Sequence, residues 1–216
     1  MNTLEFIQNN KIITICRKVY GQDLLDLAAA LYEGGVKLME VTFDQADPDC
    51  ITKTSECIRQ LCDRFGDKMM FGAGTVLTTE QVKAAAAAGA RYIISPNVDA
   101  EIISCTKDLG LISMPGAMTP SEILEAHKLG ADIVKLFPAG HLGFGYIRDI
   151  LGPISHVKLC ATGGVTEETW GTYLDYGFVG AGISGRLCDT KCIASGDYTE
   201  ITRRAKVFMD LTRAHE

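Results

Sequence analysis

Eight times along this chain a short apolar run gives way to a helical stretch, with no interval that reads as a linker. The apolar runs fall at 11–16, 36–43, 69–71, 91–95, 111–114, 131–137, 156–160 and 178–183. The helical stretches follow at 24–32, 48–65, 79–88, 100–109, 120–129, 146–151, 167–176 and 198–213, after a short leading helix at 4–10. Gly34-Gly35, Gly89, Gly110, Gly130 and Gly177 each close one of them. Strands alternating with helices of this length pair in parallel, because each helix carries the chain back to the start of the next strand. Eight such units close most simply into a (β/α)8 TIM barrel, here an α/β single domain over 1–216 with a short N-terminal helix. A doubly wound open sheet is the structural competitor.

Composition narrows the function classes. At 47% hydrophobic the chain can fill a sizeable core. A net charge of −6 argues against a broad nucleic-acid or anionic-membrane surface, while leaving room for a local anion site. No apolar run reaches the roughly 18 residues that a membrane span needs. The stretch 1–11 is polar, with Glu5, and lacks a secretory apolar segment, so a cytoplasmic protein is expected. The eight cysteines form no CxxC pair and the four histidines no HxxxH pair. They read as reduced thiols and surface or loop histidines, not as metal ligands.

Two charges interrupt the apolar runs. In Ile133-Val134-Lys135-Leu136-Phe137, alternation puts Ile133, Lys135 and Phe137 on one face and Val134 and Leu136 on the other. If helices cover the second face, Lys135 points into the barrel. A buried ammonium is costly unless paired or deprotonated, and apolar surroundings favour the neutral amine that attacks carbonyl carbon. The competing reading is a strand-end lysine that snorkels to solvent. In Leu38-Met39-Glu40-Val41-Thr42, Glu40 shares a face with Leu38 and Thr42. It is either a general acid/base or the ion-pair partner of Lys135.

The strand ends add an anion cradle. Thr162-Gly163-Gly164 closes the seventh strand and Gly180-Ala181-Gly182-Ile183-Ser184-Gly185 lies at the end of the eighth. Barrels bind phosphate with these loops, using backbone N–H groups and a helix N-terminus. Thr78 with Gln81 and Thr119 with Glu122 fit capping boxes, and Pro120 sits at a first helical position. A lysine, a carboxylate and a phosphate cradle together suggest Schiff-base chemistry on a phosphorylated keto acid.

At this point the motifs are those of a family. Gly34-Gly35-Val36, Glu40-Val41-Thr42-Phe43, Gly72-Ala73-Gly74-Thr75-Val76, Ile94-Ser95-Pro96, Pro115-Gly116, Lys135-Leu136-Phe137-Pro138 and Thr162-Gly163-Gly164-Val165 occur in this order. The chain resembles the 2-keto-3-deoxy-6-phosphogluconate (KDPG) / 4-hydroxy-2-oxoglutarate (KHG) aldolases, the class I pyruvate aldolases, over nearly its whole length. The resemblance implies Lys135 as the Schiff-base lysine and Glu40 as the acid/base. It implies Thr75 at the pyruvate carboxylate, Pro96 and Phe137 as pocket walls, and Thr162, Gly163 and Gly164 at the distal end of the substrate. It also implies no metal or organic cofactor, a small keto-acid substrate and a homotrimer.

Two departures bear on the substrate. Family members carry an arginine where this chain has Asp44, followed by Gln45; Arg17, at the end of strand one, is the candidate to replace it. The strand-eight loop reads Ser184-Gly185 where the family usually reads Gly-Ser, so the phosphate serine is either shifted, to Ser184, or absent. The 6-phosphogalactonate-derived epimer or an unphosphorylated keto acid therefore stands beside KDPG and KHG as a substrate. From other classes, a phosphosugar isomerase would not need Lys135, and a catalytically silent interaction or sensory barrel would need neither Lys135 nor Glu40.

Overall fold

The computed structural model describes residues 2–141 and 143–215. Met1, Leu142 and Glu216, which the single-domain expectation over 1–216 includes, lie outside the described residues. The elements run α1 (Thr3–Asn10), β1 (Ile12–Cys16), α2 (Gly21–Glu33), β2 (Leu38–Thr42), α3 (Cys50–Phe65), β3 (Met70–Gly74), α4 (Thr79–Ala87), β4 (Tyr92–Ile94), α5 (Ala100–Asp108) and β5 (Ile112–Met114). They continue β6 (Gly116–Ala117), α6 (Pro120–Lys128), β7 (Val134–Leu136), α7 (Gly143–Leu151), β8 (Leu159–Thr162), α8 (Glu167–Asp175), β9 (Gly180–Ile183), α9 (Thr190–Ser195) and α10 (Tyr198–Arg213), with a 3-10 turn at Ala139–His141.

All the strand pairs are parallel, in the order β5-β4-β3-β2-β1-β9-β8-β7-β6. The two ends of that list, β5 and β6, are the same stretch of chain divided by Pro115. β5 pairs with β4 and β6 pairs with β7, so the interrupted strand closes a (β/α)8 barrel. The apolar run at 111–114 ends in sequence at Pro115-Gly116, a pair that ordinarily stops a strand; in the structure the strand resumes beyond Pro115. A proline cannot donate to the ladder, but its carbonyl still accepts from the Lys135 N–H at 2.9 Å. The open-sheet competitor is thereby excluded.

Alternation sorts the apolar residues into two layers. Ile13, Leu38, Tyr92, Ile94, Met114, Ile133 and Cys160 fill the barrel, with Ile7 of α1 joining them and Leu4 and Phe6 packed on the same cluster. Their outward neighbours, among them Ile12, Met39, Phe71, Val134 and Leu136, meet the helices in a larger cluster. The leading helix thus plugs the end of the barrel from which the strands start. It is held by a capping box in which Asn2 accepts from the Glu5 N–H and Glu5 accepts from the Asn2 N–H. Among the described residues no helix is long and apolar enough to cross a membrane.

Three local expectations need correction. The Thr119–Glu122 box forms in full, but at α4 only half does: Thr78 accepts from the Gln81 N–H at 3.2 Å, while the Gln81 amide turns to the Leu77 N–H at 2.8 Å. The strand expected at 156–160 is β8, which starts at Leu159 and runs on to Thr162. The six-residue α9 was not anticipated, because it is too short to show a helical period. Its signals are local: Asp189 accepts from the Lys191 and Cys192 N–H groups, and Gly196 ends it at φ 71°.

Interior space is made by glycine where large side chains cross. A Cβ on Gly72 would lie 2.3 Å from the Tyr92 ring. Gly72→Ala therefore overpacks the barrel floor, and its unfolding free energy should fall by about 1–3 kcal/mol in urea titration. An unchanged midpoint would mean that the ring moves aside freely.

Candidate active site

The strand ends opposite α1 surround a cavity of about 550 Å³. All ten residues singled out in the sequence line it: Arg17, Glu40, Thr75, Pro96, Lys135, Phe137, Thr162, Gly163, Gly164 and Ser184. They come from seven of the eight barrel strands or the loops that follow them; only the interrupted β5/β6 strand supplies none. Each strand contributes through the same rule, inward alternation up to its last residue, then a loop that turns over the rim.

Lys135 sits on β7 between Gly116 of β6 and Cys160 of β8. It is 8% exposed, with its Nζ 4.9 Å from the centre of the Phe137 ring. Among the described residues no carboxylate oxygen lies within 4.0 Å of it. The direct ion pair with Glu40 is therefore absent, and so is the surface-snorkelling alternative. Burial pushes the neighbouring Cys160 thiol up to about 12, so it stays protonated beside the amine.

Glu40 sits across the barrel on β2, paired in register with Ile15 and Gly72. It is 2% exposed, and its Oε2 has no hydrogen-bond partner among the described residues. Burial raises its pKa above the ordinary carboxylate range, and the charges of Lys135 and then Arg17 pull it partly back. Room for the carboxyl exists because Gly74 has no side chain; a Cβ there would lie 2.7 Å from Glu40 Cδ. An unpartnered, wholly buried carboxyl facing a cavity is a group that can pass a proton to whatever enters.

The distal wall is backbone. Gly163 and Gly164 take φ 86° and 80°, a turn that side chains resist. The Gly140 N–H donates to the Gly163 carbonyl at 2.6 Å, and a Cβ on Gly140 would lie 2.7 Å from Gly164 Cα. On β9, Gly182 leaves space for the Thr162 hydroxyl, which a Cβ would approach to 2.7 Å. Gly164, Val165, Gly185 and Arg186 line the cavity, and among the described residues their N–H groups have no acceptor. The α8 N-terminus follows directly, with Thr166 as its cap.

One functional candidate was not read from the sequence. Arg186 lines the distal wall, and its Nε is 3.1 Å from Glu167 Oε2. Its signal was an arginine directly after the glycine-rich run of the last strand. Asp44, which stands where family members carry arginine, pairs with Lys18 at 2.8 Å, and that lysine holds it below the usual carboxylate range. Arg17 is the cation on that side of the cavity. Thr75 has φ 55°, rare for a β-branched residue and worth about 1–3 kcal/mol of strain.

A buried lysine, an unpaired carboxyl and a wall of free backbone N–H groups at the rim of a β/α barrel suit an aldol-type lyase. The chain belongs to the KDPG and KHG aldolase family, whose model matches residues 4–204. It is 32% identical to a 2-dehydro-3-deoxy-6-phosphogalactonate aldolase of Escherichia coli strain K12, over 82% of this chain and 83% of that one. It is 31% identical to a 2-dehydro-3-deoxy-phosphogluconate aldolase of Treponema pallidum, over 92% and 91% of the two chains. A KDPG aldolase of Legionella pneumophila, solved with pyruvate held as a covalent carbinolamine, superposes with a TM-score of 0.84 at 27% identity, covering 96% of this chain and 98% of that one. The protein is thus an aldolase, a carbon–carbon lyase of the class I type.

Glu40 also has a thermodynamic signature. Its folded pKa lies above its unfolded one, so the folded state favours the protonated form. The penalty of burying the charge grows as pH rises through the folded pKa and vanishes below the unfolded value. Glu40→Gln should therefore unfold at higher urea than the wild type near pH 8, and the two midpoints should converge toward pH 4. A constant offset across that range would contradict the shift.

Proposed function

We propose that this aldolase cleaves a 2-keto-3-deoxy-6-phospho sugar acid of the KDPG type to pyruvate and glyceraldehyde 3-phosphate, with Lys135 as the Schiff-base residue. The observation that carries the reading is the pair of buried charges, Lys135 and Glu40, facing one cavity without satisfying each other. The Lys135 amine adds to the C2 carbonyl to give a carbinolamine, and Glu40 supplies the proton with which water leaves. The resulting iminium accepts the C3–C4 bonding pair as Glu40, or water beside it, removes the C4 hydroxyl proton. The aldehyde departs; the enamine is protonated at C3 and hydrolysed to pyruvate, freeing the amine. Arg17 and Thr75 hold the keto-acid carboxylate, and Pro96 and Phe137 wall the pyruvyl group.

An anionic distal group is supported by the four unpartnered N–H groups, the α8 N-terminus and Arg186, with Ser184 beside them. Phosphate fits such a set of donors best. A second reading, the phosphogalactonate-derived epimer, is favoured by the E. coli relative and differs only at C4. KHG, whose distal group is a carboxylate, uses the same end of the cavity. The eight free thiols suit a cytoplasmic protein. The homotrimer that the resemblance implies is checked by light scattering.

Lys135→Ala, and equally Lys135→Arg, should lose at least about a thousandfold in cleavage rate while keeping the wild-type circular dichroism. Retained turnover in either would end the Schiff-base assignment. Arg186→Gln should lower kcat/KM for the phosphorylated substrate about tenfold and leave an unphosphorylated analogue within about twofold. Equal losses on both would show that Arg186 does not read the distal group.

A further inference from the structure

Gln45 and Gln81 lie 36 positions apart in the chain, yet their amides join end to end. The Leu77 N–H donates to Gln81 Oε1 at 2.8 Å. Gln81 Nε2 donates to Gln45 Oε1 at 2.9 Å, and Gln45 Nε2 donates to the Thr75 carbonyl at 2.6 Å. Both ends of this relay are backbone groups of fixed polarity, a donor at Leu77 and an acceptor at Thr75. Only one orientation of the two amides satisfies both ends. The relay therefore spans the turn 75–77 and pins the carbonyl of the residue whose φ is 55°.

Its surroundings hold it in place. Gln81 is 3% exposed, and its own N–H is fixed by Thr78. Asp44, next to Gln45, is tied to Lys18. Val76 N–H bonds to the Ile94 carbonyl at 3.2 Å and Phe43 N–H to the Gly74 carbonyl at 2.9 Å, so both neighbours of Thr75 are anchored to other strands. The β2–α3 loop, which carries Gln45, thus reaches the substrate cavity through Thr75 rather than with a side chain of its own.

We propose that Gln45 is a positioning residue: with Gln81 it holds Thr75 left-handed at the cavity wall, and this sets the affinity of the site for the carboxylate of its keto acid. The proposal rests on the reading of the cavity as a keto-acid site. It explains how the chain keeps carboxylate recognition with Asp44 in place of the family's arginine. Recognition passes to Arg17 and to a threonine that an amide relay keeps in a conformation it would otherwise leave.

Gln45→Glu tests it with almost no change of shape. The donor becomes an oxygen facing the Thr75 carbonyl, so the bond is replaced by repulsion. The pyruvate concentration giving half-maximal borohydride trapping should rise about tenfold, while kcat at saturation stays within about twofold. Gln81→Glu should give the same shift, because its Leu77 bond survives and its donor to Gln45 is lost. In a Thr75→Gly background, where glycine takes positive φ unaided, Gln45→Glu should add nothing. Wild-type affinity in Gln45→Glu, or an undiminished effect in the glycine background, would overturn the relay. Absence of any pyruvyl adduct in the wild type would instead strike the keto-acid reading, and the relay's role with it.

Discussion

An amine and a carboxyl are buried in this barrel and kept apart. Lys135 and Glu40 face one cavity from opposite walls, and among the described residues neither forms an ion pair with the other. Each is costly to bury, and a direct pair would have reduced that cost. The separation leaves a gap that a polar molecule can enter, with an amine on one side and an unpartnered carboxyl on the other. The remaining architecture can be read as what maintains this arrangement.

Glycine does much of that work. Gly74 clears space for the Glu40 carboxyl, Gly72 lets the Tyr92 ring cross the barrel floor, and Gly182 admits the Thr162 hydroxyl. The Gly163-Gly164 turn brings backbone amides to the far wall. Below, the apolar cluster plugged by Ile7 keeps water from the underside of the charges. Strand alternation then needs no special device to aim Lys135 and Glu40 inward. It only needs the outward neighbours, Val134 and Leu136 or Met39 and Val41, to be apolar enough to bind the helix layer.

Most of this was legible because period and punctuation are local signals. The alternation around Lys135 and Glu40, the glycine stops and the threonine caps predicted eight units and the face each charge occupies. What escaped was non-local or too short to show a period. The fifth strand resumes after Pro115 only because β7 offers it a partner. The Gln81 side chain leaves its expected cap bond for Leu77, which frees its amide to meet Gln45 from a distant loop. The glycine-rich run before Arg186 marks the last loop as part of the cavity, but a loop has no period from which the direction of the next side chain can be read. The motif-level resemblance supplied roles that spacing alone could not assign, such as those of Thr75 and Pro96.

The central claim is that the amine of Lys135 is the covalent group. The most direct measurement is mass spectrometry of the folded protein after treatment with pyruvate and borohydride, followed by peptide mapping. One reduced pyruvyl group on Lys135, absent from Lys135→Ala, is the expected result. An unmodified protein, or an adduct at another lysine that survives in Lys135→Ala, would contradict it.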